Sequence, residues 1–289
     1  MYERSVLLGS IRAFGRLIRI DRPIGILLLL WPTLTALWIS SSGVPDLKLL
    51  IIFSVGTLVM RSAGCCINDY ADANFDGHVN RTKNRPIIIG EITRKQALFF
   101  FGALCFLAFM LVLFLNLKTI ILSIGGFCLA AIYPFMKRVT DMPQIVLGIA
   151  FSFGILMAFA AVQPEIPPGV CFLFFGNIFW TIAYDTQYAM ADREDDLVIG
   201  IRSTAILFGK FDRAFVGIFQ ISFLALTLLA GLYFKLNIYF YLSLILAAGL
   251  FCYQAWTTIE RKSANCIVAF KNNNWVGASL FFGTFLNYL

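Results

Sequence analysis

Polar and apolar positions in this chain alternate on the scale of whole helices rather than single turns. Apolar runs at roughly 24–41, 47–66, 96–115, 119–136, 143–162, 168–188, 214–233, 236–256 and 273–288 follow one another with short polar breaks. Each approaches the about 20 residues that a helix needs to cross a hydrocarbon core. The pattern predicts an all-α integral membrane protein with about nine transmembrane helices in one bundle. No polar stretch is long enough for a separate soluble domain, so residues 1–289 read as a single membrane domain. Ahead of the first run, residues 1–22 place Val6, Leu7, Ile11, Phe14, Leu17 and Ile18 on one side and Arg12, Arg16 and Arg19 on the other, as an interfacial helix would. That first run is too long for a signal-peptide core, and 40–43 lacks a small-x-small cleavage pattern, so it is kept as a span.

Composition agrees: 60% of the 289 residues are hydrophobic, 13% are charged, and the mean hydropathy is +0.82. The formal charge of +7 changes the picture only through its placement. Lys and Arg crowd into residues 4–22, 81–95, 137–138, 193–213 and 261–271, whereas the opposite loops hold only Lys48, Lys118 and Lys235. Positively charged loops resist translocation, so an odd number of spans with a cytoplasmic N-terminus is expected, in a bacterial inner membrane. Topology and anionic lipid headgroups account for the basic residues, and nucleic-acid binding is not expected. The seven cysteines form no CxxC or other metal spacing and mostly sit inside predicted helices, so no disulfides are expected.

Where two apolar runs reach basic segments, an acidic pattern appears: Asn68, Asp69, Asp72 and Asp76, and again Asp185, Asp192, Asp195 and Asp196. On a helix, Asn68, Asp72 and Asp76 drift only about 40° per step, and Asp185, Asp192 and Asp196 stay within about 20° of one line with Tyr188 about 60° away. One such stripe is ordinarily a solvated helix end. Two stripes on the same side of the membrane, four helices apart, imply a shared site between duplicated halves, with metal ions and a phosphorylated substrate as its occupants. Oxygen ligands without neighbouring Cys, and with His78 read as a loop residue, favour Mg²⁺ over zinc or iron. Divalent cations would also bridge carboxylates and phosphates that otherwise repel.

Arg81, Lys83, Arg85, Lys137, Arg138 and Arg202 are candidates for holding phosphate oxygens, though each doubles as a topology signal. Arg61 lies inside the second span, seven residues before Asn68 and hence about 10 Å deeper on the same face. It could receive an anionic co-substrate such as a carboxylate, or act as a structural partner for a helix-end group. Trp31, Tyr133, Trp180, Tyr184 and Tyr188 fall near cytoplasmic helix ends, where their π faces suit a cationic intermediate.

The segment 68–86, NDYADANFDGHVNRTKNRP, resembles the first signature of the intramembrane aromatic prenyltransferases. The segment 185–209, DTQYAMADREDDLVIGIRSTAILFG, resembles the second, DxxYxxxDxxxD. RIDRPIGILLLLWPT (19–33), YPFMKRVTDMPQ (133–144) and AFKNNNWVG (269–277) extend the likeness over nearly the whole chain. Within that superfamily both signatures are most similar to the 4-hydroxybenzoate polyprenyltransferases of ubiquinone biosynthesis. Arg202 stands where many relatives are expected to carry Lys, which keeps charge but alters donor geometry.

The resemblance implies a central cavity with a side opening for lipid, capped by cytoplasmic active-site loops at 67–95, 137–142 and 189–213. It assigns metal and diphosphate binding to Asp72, Asp76, Asp192 and Asp196, supported by Asn68, Asp69 and Asp185, with Lys137 and Arg138 on the diphosphate. The implied reaction moves a long polyprenyl group from polyprenyl diphosphate to the ring carbon ortho to the hydroxyl of 4-hydroxybenzoate, with Mg²⁺ as cofactor and diphosphate as product. Substrate-binding expectations fall on Arg61, Arg81, Lys83, Lys137, Arg138, Tyr188 and Arg202. Competing readings are the same chemistry on a naphthoate, a homogentisate or a haem vinyl group, a cation-coupled transporter, and an alcohol phosphotransferase. Transport sites lie near the bilayer midplane, whereas these clusters lie at helix ends.

Overall fold

Several helices of this chain begin where a side chain caps a free N–H group. Our computed structural model describes residues 11–79 and 81–289; residues 1–10 of the expected interfacial helix, Val6 and Leu7 included, lie outside them. Residues 11–17 (α1) are helical and lead through a turn into α2 (Ile24–Ser41). There follow α3 (Leu47–Asp72), α4 (Arg94–Val112), α5 (Leu117–Met136), α6 (Pro143–Val162) and α7 (Val170–Ile199). A short α8 (Thr204–Phe208) precedes α9 (Asp212–Tyr233), α10 (Ile238–Thr257) and α11 (Ser263–Asn287). Among the described residues there is no strand.

Starts are set by local chemistry. Asp46 accepts from the Lys48 N–H ahead of α3, Thr93 and Gln96 form a capping box on α4, and Asn116 accepts from Thr119 N–H on α5. The end of α7 is closed by Gly200 at φ 71, a left-handed conformation that glycine adopts without strain.

Among the described residues, seven helical segments are long and apolar enough to cross a membrane by length and composition alone. The 30-residue α7 and 25-residue α11 are as long but carry more polar residues. Three expected boundaries shift for that reason. Helix α3 continues to Asp72 and α7 to Ile199, so the first parts of the expected loops 67–95 and 189–213 are helix. Helix α11 begins at Ser263 instead of 273, because Lys271 and Asn272 to Asn274 interrupt the apolar pattern without interrupting the helix.

The asparagines of α11 are paired across the bundle. Asn272, Asn273 and Asn274 are successive residues on α11, about 100° apart, and each reaches a different helix. The Asn272 Oδ1 accepts from Gln254 of α10 at 2.9 Å. The Asn273 Oδ1 accepts from Trp180 of α7 at 2.8 Å, while its Nδ2 donates to Gln187 at 2.9 Å. The Asn274 Oδ1 accepts from Trp31 of α2 at 2.9 Å. Gln254 also accepts from Gln187 and Gln220, closing a network that fixes the rotation of α7 against α9, α10 and α11. Outside, Phe99 and Phe106 on α4, Ile221 on α9 and Ile245 on α10 are exposed, as lipid-facing residues are.

Candidate active site

Helices α2 to α7 and the start of α11 surround a cavity of about 1720 Å³, beyond the about 300–1,000 Å³ of pockets for drug-sized ligands. On α3 its lining runs from Ile52 to Asp72, about 30 Å at 1.5 Å per residue, nearly the thickness of a hydrocarbon core. One end is polar, lined by Asn68, Asp72, Asp76, Asp185, Asp192 and Asp196. The other is apolar, with Ile52, Phe53, Phe109, Leu115, Phe151 and Met157 on its wall.

The two acidic signatures meet at the polar end but are built differently. Asp185, Tyr188, Asp192 and Asp196 all lie on the unbroken α7 and all line the cavity, as a stripe on one helix would. The first set does not form one stripe. Helix α3 ends at Asp72, a turn intervenes, and Asp76 opens a short 3₁₀ turn from which it points back into the cavity. Asp76 is held there because Arg85 pairs with its carboxylate and Thr82 donates to its backbone carbonyl at 2.8 Å. His78 is an exposed member of the same turn.

Basic side chains cross between the signatures. Arg81 grips Asp192 with both ends of its guanidinium, Nε at 2.9 Å from Oδ1 and Nη2 at 2.5 Å from Oδ2, while its Cζ lies 4.3 Å from the centre of the Tyr188 ring. The Lys137 Nζ donates to Asp72 at 2.9 Å. Arg202 lines the cavity and lies 3.6 Å from Asp141.

Several expected residues lie elsewhere. Asp69 is 1% exposed and does not line the cavity; its Oδ1 takes Arg19 at 2.5 Å and Arg85 at 3.2 Å. Its position one residue after Asn68 turns it about 100° away from the stripe, so it braces two cationic side chains that do line the cavity. Arg138 is also outside: its Nη2 donates to the Ala71 carbonyl at 2.6 Å and its guanidinium stacks 5.1 Å from Phe75, capping the end of α3. Lys83 is exposed and away from the cavity wall. Trp31 and Trp180 serve the α11 asparagines, whereas Tyr133, Tyr184 and Tyr188 line the cavity.

Two groups escaped the sequence reading. Arg19 lines the cavity from the α1–α2 turn, where its φ of 61 is the left-handed conformation that non-glycine residues seldom adopt. Its partner is an acid fifty positions away, which no local pattern reveals. Gln144 is hydrogen-bonded to Asp185 and its Oε1 accepts from Thr204 N–H at 3.3 Å, tying the α6 start to the α7–α8 turn.

Electrostatics at the polar end favour added positive charge. Burial raises the Asp76 carboxyl above its ordinary value, with Arg85 opposing. Among the described residues no three His, Cys, Asp or Glu side chains converge closely enough to hold a metal ion by themselves. The all-oxygen donor set, split between two walls, fits divalent cations that share their coordination with phosphate oxygens.

Three comparisons bear on this arrangement. The model of the family described as the UbiA prenyltransferase family matches residues 29–283. A protein of Tolumonas auensis named 4-hydroxybenzoate octaprenyltransferase is 54% identical over 282 residues, covering 98% of this chain and 99% of its own. A protein of that name from Providencia stuartii is 52% identical over 287 residues, covering 99% and 100%. Among solved structures, a UbiA homologue from Aeropyrum pernix K1 superposes with a TM-score of 0.80 at 22% identity, over 92% of this chain and 98% of that one. A UbiA homologue from Archaeoglobus fulgidus bound to GPP and Mg²⁺ gives a TM-score of 0.69 at 16% identity, over 96% and 99%.

Proposed function

This chain belongs to the UbiA prenyltransferase family, and on that footing we propose that it transfers a long polyprenyl group from polyprenyl diphosphate to 4-hydroxybenzoate in ubiquinone biosynthesis. One observation carries the reading: two acidic signatures, joined by Arg81 on Asp192 and with Lys137 on Asp72, close the polar end of a cavity that is about a bilayer long and apolar at its other end. The names of the full-length relatives supply the acceptor.

The proposed geometry sets the diphosphate among Arg81, Arg85 and Lys137, with the prenyl chain along the apolar wall. Asp72, Asp76, Asp192 and Asp196, with Asn68 and Asp185 beside them, would hold Mg²⁺, the ion bound in the Archaeoglobus fulgidus relative. Bound there, the cation supplies neutralisation of a diphosphate that the carboxylates would otherwise repel. The basic side chains stabilise the charge that develops on diphosphate as the bond to carbon 1 breaks. Tyr133, Tyr184 and Tyr188 turn aromatic faces toward the resulting allylic cation. Arg61, deeper on the α3 face, holds the acceptor carboxylate so that the carbon ortho to the hydroxyl meets that cation. A ring carbon–carbon bond forms and the ring proton leaves.

The same reading places the whole chain as one catalytic domain in a bacterial inner membrane. Helices α2 to α7 and α9 to α11 cross, and the N-terminus and polar end face the cytoplasm, where the Lys and Arg residues gather. The test is transfer of labelled 4-hydroxybenzoate into lipid by purified protein with a polyprenyl diphosphate and magnesium. An EDTA-sensitive prenylated product is expected. Product from a naphthoate or homogentisate, with none from 4-hydroxybenzoate, would overturn the acceptor.

A further inference from the structure

The segment RIDRPIG, 19–25, lies at the cavity wall, yet the reaction as described uses none of its glycine. Gly25 stands in the first turn of α2, directly against Arg61. A Cβ built on Gly25 would meet Arg61 Nε and Nη2 at 2.6 Å each and Cζ at 2.9 Å, closer than atoms of adjacent residues approach. The guanidinium is thus seated in a notch that exists only because residue 25 has no side chain.

Arg61 itself is under-satisfied. Its Nη1 donates to Cys65 Sγ at 3.0 Å, and its Nε is buried without a hydrogen-bond partner. A buried guanidinium with free donors is costly unless an anion completes it. A Cβ built on Gly64 would meet nothing but Arg61 Nη1, at 4.0 Å. Of these two glycines, only Gly25 constrains where the Arg61 head sits.

We propose that Gly25 is a positioning residue for the acceptor: the absent side chain seats Arg61 so that its free donors meet the acceptor carboxylate. The inference rests on the reading of Arg61 as the carboxylate's partner. Gly25→Ala should fold, because alanine favours helix over glycine and the atoms it strikes are the far end of a flexible side chain. What it moves is the guanidinium.

The experiment is a cycle of Gly25→Ala, Arg61→Ala and the double variant in membranes, measuring KM separately for 4-hydroxybenzoate and for polyprenyl diphosphate. Gly25→Ala should raise the acid's KM about tenfold, the effect of misplacing one charge-assisted hydrogen bond, and leave the diphosphate's KM within about twofold. In the Arg61→Ala background, adding Gly25→Ala should change the acid's KM by less than about twofold, since coupled residues act once. An unchanged acid KM in Gly25→Ala, an equal rise for both substrates, or an effect undiminished without Arg61 would each overturn the positioning role. If Arg61→Ala alone leaves the acid's KM unchanged, the carboxylate reading fails and the inference with it. A normal response to Arg61→Ala with a silent Gly25→Ala refutes the seat and spares the reading.

Discussion

The two acidic signatures meet at one end of the cavity from different kinds of scaffold. The second is a rigid rod: α7 runs without a break past Asp185, Asp192 and Asp196, and the Gln187–Gln254–Asn273 network fixes its rotation. Beyond Asp192, Arg193 joins Arg261 on the buried Asp212 and donates to the Ala205 carbonyl at 2.6 Å, so this end of α7 is clamped as well. The first signature is a helix end followed by a turn, and its geometry is set by ion pairs: Arg85 on Asp76 and Asp69, Arg19 on Asp69, Lys137 on Asp72. The second also carries an ion pair at the cavity, Arg81 on Asp192, so the difference lies in the backbone: an unbroken helix keeps the second set in line, whereas ion pairs return the first set to the cavity.

The sharpest way to break the comparison is to remove one carboxylate from each side. Asp72→Ala and Asp192→Ala should each lower turnover by about 10³-fold or more while the protein still inserts, because both walls must neutralise the same leaving group. Near-normal turnover in either would show that one wall suffices.

A smaller effect separates the clamp from the site. Arg193 and Arg261 both pair with the buried Asp212 carboxylate. The pairs need that carboxylate ionised, so their contribution is present at neutral pH and is lost once acid protonates it. Asp212→Asn should cost about 2 kcal/mol at pH 7, less than for a fully buried pair because Arg261 is partly exposed. Below about pH 4 the thermal midpoints of variant and wild type should converge. A gap that persists unchanged at pH 3 would rule out the ion pairs as its source.

The mildest change tests how the first signature is braced. Asp69→Asn preserves shape but removes the charge that holds Arg19 and Arg85, and it should lower kcat/KM about tenfold, far less than Asp72→Ala. A loss as deep as that of Asp72→Ala would return Asp69 to the metal-binding set.

Much of this was legible in the chain. Apolar runs give helices because a bilayer leaves backbone groups no partner but their own helix, and α2 and α6 fall at the expected boundaries, 24–41 and 143–162. The i, i+7, i+11 spacing of Asp185, Asp192 and Asp196 specifies one face because the helix beneath it does not end. The same argument fails at Asp76, where the backbone leaves the helix after Asp72 and only Arg85 and Thr82 return the carboxylate to the cavity.

What the sequence determined by itself was therefore whatever follows from periodicity and burial: a helical membrane bundle, an acidic polar end, an arginine in the apolar depth. Which charged residues face the cavity was decided by tertiary structure. Asp69 and Arg138 sit beside true lining residues and differ from them by about one 100° step, so their direction follows from partners distant in sequence, Arg19 and the Ala71 carbonyl. The seat of Arg61 is likewise invisible in one dimension, since it is made by a side chain that Gly25 lacks and by the approach of two helices.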